Sequence, residues 1–211
     1  MACFKRQDFD KSSLTQLRFV MGNSQLPCFY QILQAGFMVK ALVGCSIKNF
    51  LTQQLGISSE YITERIQSIF LEGRPVDDLD SAMIHDGSHL SLSAAMPGLV
   101  GATLRRGGVY GAFRSSITYS ESSSHCENTE GCVHLKFFNL LMRELGPDLL
   151  KKGIYLKSSG IADFLSGQTL EFWQGCKEIL LNGKPVSRDQ LEKRDWLSRY
   201  NLVYLSVITT D

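Results

Sequence analysis

An eight-residue motif occurs twice in this chain, as IFLEGRPV at residues 69–76 and as ILLNGKPV at residues 179–186. Three further pairs of similar segments follow the same order. They are 17–20 with 135–138, 36–40 with 153–157, and 47–51 with 161–165. Two copies are too few for a solenoid, which needs at least three stacked units. The matches therefore predict two tandem copies of one small domain.

Each copy has the pattern strand, strand, helix, strand, strand. In the first copy Ser46 is a candidate N-cap, and Ile47, Phe50 and Leu51 lie at helical spacing behind it. The Gly-containing ends of the repeated motif predict a turn in both copies. An α+β fold follows, in which one helix packs across one face of a mixed sheet.

A segment rich in glycine and serine separates the two copies and offers little apolar surface to bury. We therefore expect a first repeat with a polar N-terminal extension over 1–98, a linker over 99–131 and a second repeat over 132–211.

The overall charge excludes two classes of partner. The 211 residues carry a formal net charge of +1, which gives no general attraction to nucleic acid or to an anionic membrane. No apolar run approaches the roughly 20 residues of a membrane helix, and the first residues lack the apolar core of a secretory signal. We expect a cytoplasmic protein with reduced cysteines.

The element order and the NGKPV turn at 182–186 resemble the β-grasp fold, and more narrowly its sulfur-carrier and ubiquitin-like branch. Residues 135–138 and 141–146 resemble the opening of the small sulfur-carrier subunit of molybdopterin synthase, and residues 86–92 resemble the family's last turn and strand. The resemblance implies two tandem ubiquitin-like β-grasp domains, each a mixed sheet packed on one helix. It also implies a non-catalytic protein whose partner is an adenylating enzyme.

In that family a C-terminal diglycine enters the adenylating enzyme, where its carboxylate is activated. This chain ends in VITTD, but residues 104–108 read LRRGG and resemble the tail of ubiquitin. The resemblance makes Arg105, Arg106, Gly107 and Gly108 a candidate carrier tail, which requires cleavage after Gly108. A basic, glycine-rich linker is the alternative for these residues, and a protein-interaction module without carrier chemistry is the alternative function.

Four residues form a candidate metal site, namely His125, Cys126, Cys132 and His134. Thiolates and imidazoles are ligands that tetrahedral zinc accepts, although this spacing is not a standard one. A disulfide between Cys126 and Cys132 and unpaired thiols in a loop are the alternatives. No other cofactor is expected.

Two charged clusters complete the candidate residues. Asp77, Asp78 and Asp80 suit either a hard cation or a solvated loop. Arg105, Arg106 and Arg114 suit either an anion or a solvated linker. No spacing singles out a nucleophile with a base and an orienting group, so we do not expect an enzyme.

Overall fold

The computed structural model describes residues 14–120, 129–193 and 195–210. These residues form two compact units. The first unit comprises the described residues between 39 and 141, and the second comprises 14–38 together with the described residues from 142 to 210.

The described residues contain twelve strands, which are numbered here in chain order. They are β1 (Leu14–Gly22), β2 (Phe37–Val43), β3 (Cys45–Ser46), β4 (Ser68–Leu71), β5 (Arg74–Pro75), β6 (Met83–Ile84), β7 (His89–Ser93), β8 (Thr129–Phe138), β9 (Ile154–Lys157), β10 (Cys176–Leu181), β11 (Lys184–Pro185) and β12 (Leu202–Thr210).

The helices of the same residues are short. The α-helices are α1 (Tyr30–Ala35), α2 (Ile47–Asn49), α3 (Ser59–Glu64), α4 (Gly98–Leu104), α5 (Leu140–Glu144), α6 (Gly146–Lys152), α7 (Ser158–Ser166), α8 (Leu170–Gln174) and α9 (Arg188–Glu192). Helix α2 continues as a π-helical stretch over Phe50–Gln54. Three 3₁₀ helices cover Asn23–Phe29, Val109–Arg114 and Leu197–Arg199.

The strand order corrects the predicted fold. Ten strands are paired in the order β11-β10-β1-β12-β9-β2-β8-β7-β4-β5, and β3 pairs separately with β6. The α+β class is confirmed, but two tandem β-grasp domains, each with one sheet of its own packed on one helix, are not what the chain forms. The boundaries 1–98, 99–131 and 132–211 do not match the two compact units either.

Two exchanged strands account for this difference. Strand β8, predicted to open the second repeat, pairs in parallel with β7 inside the first unit. Strand β1, predicted to open the first repeat, lies in the second unit between β10, to which it is antiparallel, and β12, to which it is parallel. Each unit thus contains the opening strand of the other predicted repeat.

Packing in the second unit explains where β1 lies. Its alternating pattern buries Leu17, Phe19 and Met21 completely. The Phe19 ring lies 5.6 Å from that of Phe29 and 5.9 Å from that of Phe172, centroid to centroid. Aromatic pairs at this separation add stability beyond the area that they bury. An aromatic cluster that forms only in the folded unit therefore fixes β1.

Both copies of the repeated motif form the hairpins that the sequence predicts. Glu72 and Gly73 have φ of 51° and 75°, and Asn182 and Gly183 have φ of 51° and 77°. Positive φ at two central residues is the pattern of a type I′ turn, whose twist suits a two-residue hairpin. The motif therefore encodes a local structure that does not depend on the unit around it.

The backbone next to each hairpin shows how the units correspond. The N–H of Glu72 donates to the carbonyl of His89 in β7, and the N–H of Asn182 donates to the carbonyl of Gln16 in β1, at 2.9 and 2.8 Å. In the second unit β1 therefore occupies the place that β7 occupies in the first.

The predicted helix after β2 begins as expected. The Ser46 hydroxyl accepts a hydrogen bond from the backbone N–H of Asn49 at 3.2 Å, which satisfies one of the free donors at a helix start. Ile47, Phe50 and Leu51 are fully buried behind it. Within residues 14–120, 129–193 and 195–210, no helix combines the length and the hydrophobicity that crossing a membrane requires.

Candidate interaction site

The glycine-rich stretch predicted as a linker contains ordered structure in its described part. Helix α4 covers its start, and the 3₁₀ helix Val109–Arg114 follows after a turn at residues 105–108. We refer to residues 98–118 as the presenting segment. Composition predicts a linker here, because glycine and serine are frequent over the longer stretch 97–131.

One buried arginine holds the presenting segment together. Arg114 is 2% exposed, and its Nη1 and Nη2 donate to the two carboxylate oxygens of Asp77 at 2.9 and 2.6 Å. Its Nε donates to the carbonyl of Thr103 at 2.7 Å. The remaining bonds run from Nη1 to the hydroxyl of Thr118 at 3.0 Å and from Nη2 to the carbonyl of Arg105 at 3.2 Å. A guanidinium is buried at low cost only when its donors are satisfied in this way.

The presenting segment exposes an unusual amount of apolar surface. Val109 is 92% exposed and Phe113 is 82% exposed in the described structure. Together with four further large apolar side chains they form what we call the apolar patch. Its members are Leu99, Val100, Val109, Tyr110, Phe113 and Ile117. Single exposed apolar residues are normal, whereas a contiguous exposed apolar patch is typical of an interaction surface. The six residues lie within 19 positions of the chain.

The residues of the candidate carrier tail lie in the turn between α4 and the 3₁₀ helix. The backbone N–H of Arg106 donates to the carbonyl of Gln67 at 2.8 Å, and its Nη2 donates to the carbonyl of Ile62 at 2.9 Å. Gly107 has a φ of +63°, which few other residues adopt, and the N–H of Gly108 donates to the carbonyl of Arg105 at 3.2 Å. In this structure the four residues form a packed turn and not an extended tail.

A cleft of about 530 Å³ opens beside this turn in the first unit. Its lining includes Arg106 and Gly107 as well as Asp77, Asp78 and Asp80. The structure therefore brings together the acidic cluster and part of the basic cluster, which the sequence presents as separate candidates. Its volume lies within the range of ordinary ligand pockets.

Most charges in the cleft are neutralised within it. Asp80 forms an ion pair with Lys48 at 3.0 Å, and Asp77 is paired with Arg114. Asp78 instead accepts hydrogen bonds from the backbone N–H groups of Asp80 and Ser81, which hold the pKa of its carboxyl below the ordinary value. A hydrogen-bonded loop explains this cluster without a bound cation.

The predicted zinc site is only partly within the described residues. His125 and Cys126 lie outside them. Cys132 is fully buried in β8 and its backbone N–H donates to the carboxylate of Asp86 at 2.8 Å. The ring of His134 stacks on that of His89, with centroids 4.4 Å apart.

Among the described residues, no group of three or more His, Cys, Asp or Glu side chains is arranged to hold a metal. The structure thus does not bring the four predicted ligands together in its described part, and zinc binding stays a prediction.

Sequence reasoning missed the residues that define this site. Composition places Phe113 and Val109 in a linker, and the arginine cluster allows Arg114 either to bind an anion or to be solvated. One signal was present, since no acidic residue occurs from 87 to 120 although apolar residues recur there. A flexible solvated linker is usually richer in charge and poorer in large apolar side chains.

Comparison with known proteins adds no relative. No protein-family model matches the chain. No curated protein matches it, and no solved structure does. The relationship to sulfur-carrier and ubiquitin-like proteins stays a prediction.

Proposed function

We propose that this chain is a non-catalytic protein-interaction module that binds a protein partner through the apolar patch. The observation that supports this proposal is the exposure of Val109 and Phe113 on a segment that Arg114 anchors. Covering apolar surface is worth roughly 25 cal/mol per Å². A partner that covers these side chains therefore gains free energy that the isolated chain does not.

The anchoring of the presenting segment favours binding as well. A disordered linker would lose conformational entropy when a partner fixed it, whereas a preorganised surface loses little. The bonds from Arg114 to Thr103 and Asp77 order the backbone before any partner arrives. Aromatic side chains such as Tyr110 and Phe113, whose rings lie 6.2 Å apart, are typical anchors of an interface.

Carrier chemistry at Gly108 is the competing proposal, and the contacts of Arg106 count against it. Exposing a free tail requires cleavage of the chain and the loss of the bonds from Arg106 to Gln67 and Ile62. The interaction proposal needs neither step. The intact mass of the protein from cells that make it separates the two, because a fragment that ends at Gly108 would support the carrier and overturn the module.

Site-specific photo-crosslinking tests the proposed surface. A photoreactive phenylalanine analogue replaces Phe113, and in a matched control it replaces Leu170, which is 62% exposed in the second unit. We expect a discrete protein adduct from position 113 that is weak or absent from position 170. Val109→Ser in the same background is expected to reduce that adduct several-fold.

Two outcomes would contradict the proposal. The first is the same set of adducts from positions 113 and 170, and the second is no protein adduct from position 113. Thermal unfolding of each labelled chain shows that the substitution has not unfolded the segment.

A further inference from the structure

Arg106 carries a positive charge that the described structure does not neutralise. Its backbone N–H and its Nη2 donate to the carbonyls of Gln67 and Ile62. Within the described residues, neither Nε nor Nη1 has an acceptor and no carboxylate lies within ion-pair distance of the guanidinium. A guanidinium has five N–H donors, so several of them remain available.

The surroundings of Arg106 make this free charge costly. Partial burial lowers the pKa of Arg106, and the charge of Asp77 opposes that effect only in part. Asp77 already gives both carboxylate oxygens to Arg114. A carboxylate placed against Arg106 would restore a favourable charge balance, and it would do so with charge-assisted hydrogen bonds.

The chain places Arg106 within reach of the proposed interface. It lines the cleft and precedes Val109 of the apolar patch by three residues. Three residues span at most about 11 Å. A single segment of a partner can therefore cover the patch and extend one side chain to Arg106.

The charges around the site restrict what that side chain can be. From 87 to 120 the chain has no acidic residue to repel an anion, and Arg105 is exposed beside Arg106. Asp78 and Asp80 line the same cleft. Their charges disfavour a densely anionic surface such as a bilayer, and they disfavour a single carboxylate less, because Asp80 is already paired with Lys48.

We propose that the partner's docking segment combines apolar side chains with an aspartate or glutamate, and that this carboxylate binds to Arg106 in the cleft. This inference rests on the interaction function proposed above and specifies the chemistry of its partner.

Selection from a library of random twelve-residue peptides on the immobilised full-length chain tests it. We expect the selected peptides to contain large apolar residues and at least one Asp or Glu. Each acidic residue of the best binders is then replaced by its amide, Asp→Asn or Glu→Gln. One of these replacements is expected to weaken binding about 10- to 100-fold, because it removes charge-assisted hydrogen bonds.

Three variants of the chain test whether the difference in binding between acid and amide peptides depends on Arg106. In Arg106→Gln the difference between acid and amide peptides is expected to fall below about threefold. Arg106→Lys keeps the charge but not the bidentate geometry, so it is expected to retain part of the difference. Arg105→Gln, the neighbouring control, is expected to retain all of it.

The possible failures are distinguishable. Equal binding of acid and amide peptides to the unmodified chain overturns the inference, and this measurement does not depend on how any variant folds. Apolar peptides without acidic residues that still lose binding in Val109→Ser would overturn the carboxylate but leave the interaction function intact. If the chain instead binds phosphatidylserine vesicles through the apolar patch and binds no peptide, both the carboxylate contact with Arg106 and the protein-interaction function are overturned.

Discussion

Asp77 and Arg114 lie 37 positions apart, and their side chains are joined by two hydrogen bonds of 2.6 and 2.9 Å. The pair fastens the presenting segment to the loop that follows β5. Because Arg114 is almost completely buried, the order of the apolar patch depends strongly on this cation and its partners.

Asp77→Asn is therefore expected to destabilise the first unit. Loss of the carboxylate charge leaves Arg114 buried without compensation, and we expect the free energy of unfolding to fall by about 2–4 kcal/mol. Urea denaturation measures this change. Asp80→Asn is the matched control, because Asp80 forms an exposed ion pair with Lys48 and its removal is expected to cost about 0.5 kcal/mol or less. Equal losses in both variants would contradict the anchoring role of Arg114.

Gly101 in α4 is expected to tolerate no side chain. A Cβ atom there would lie 1.7 Å from the backbone oxygen of Met96, which cannot move without displacing the chain. We expect Gly101→Ala to lower the free energy of unfolding by about 1–3 kcal/mol, as measured by urea denaturation.

Gly160 in α7 provides the comparison, since a Cβ atom there would meet nothing within 4 Å. Gly160→Ala is expected to raise stability by about 0.5–1 kcal/mol, because alanine is the better helix former. A neutral Gly101→Ala variant would show that the start of the presenting segment is not packed as described.

Asn182 serves the second hairpin in two ways. It adopts a φ of 51°, and its Oδ1 accepts hydrogen bonds from the backbone N–H of Gln16 at 2.9 Å and from the hydroxyl of Thr15 at 3.2 Å. Asn182→Ala loses both bonds and strains the turn, so we expect a loss of about 1–3 kcal/mol. Thermal or chemical unfolding measures it, with the exposed Lys184→Ala of the same hairpin as control. If both substitutions cost the same, the Asn182 side chain does not support β1.

Cys176 is expected to be an unreactive thiol at neutral pH. Burial, and secondarily the charge of Cys28, raise the pKa of Cys176 from 9.0 to about 11. The thiolate is the reactive form, so alkylation at pH 8 is expected to be roughly a hundredfold slower than for a free cysteine, and to increase about tenfold per pH unit towards 11. Residue-resolved mass spectrometry after timed iodoacetamide treatment measures the rate.

The same shift predicts the effect of pH on stability. The unfolded thiol loses its proton near pH 9, while the folded thiol keeps it until about pH 11. The contribution of Cys176 to the free energy of unfolding is therefore fully present below pH 9 and is lost between pH 9 and 11. At a pH high enough to ionise Cys28, whose own pKa burial also raises, Cys28→Ser is expected to speed alkylation of Cys176, because it removes a like charge. Equal alkylation rates of Cys176 in the folded chain and in the urea-unfolded chain would contradict the burial of this thiol.

The sequence predicted the local structures and failed on the long-range ones. The turns at Gly73 and Gly183 follow from residues next to each other in the chain, and so does the N-cap at Ser46. The exchange of β1 and β8 does not, because both strands alternate apolar and polar residues in the same way. Their places depend on packing partners such as Phe29 and Phe172, which lie far away in the sequence or belong to other elements.

The sequence does not predict the candidate site, for a related reason. In the sequence, Arg114 has the surroundings of a solvated linker residue. In the structure, its guanidinium donates five hydrogen bonds to acceptors that include Asp77 and Thr103. Residue composition reports average behaviour, and a single buried cation can order a segment that composition assigns to a linker.

The place of β1 also fixes an order of events during protein synthesis. Arg18 in β1 donates from Nε to the hydroxyl of Ser206 in β12 at 3.3 Å, across 188 positions of the chain. At roughly 5–20 residues per second, a ribosome takes about 10–40 s to make that stretch. The strand partners of β1, β10 and β12, do not exist during most of this time, whereas the first unit has all its strands once β8 is made. The nascent chain therefore completes its first unit while Leu17, Phe19 and Met21 still await their neighbours.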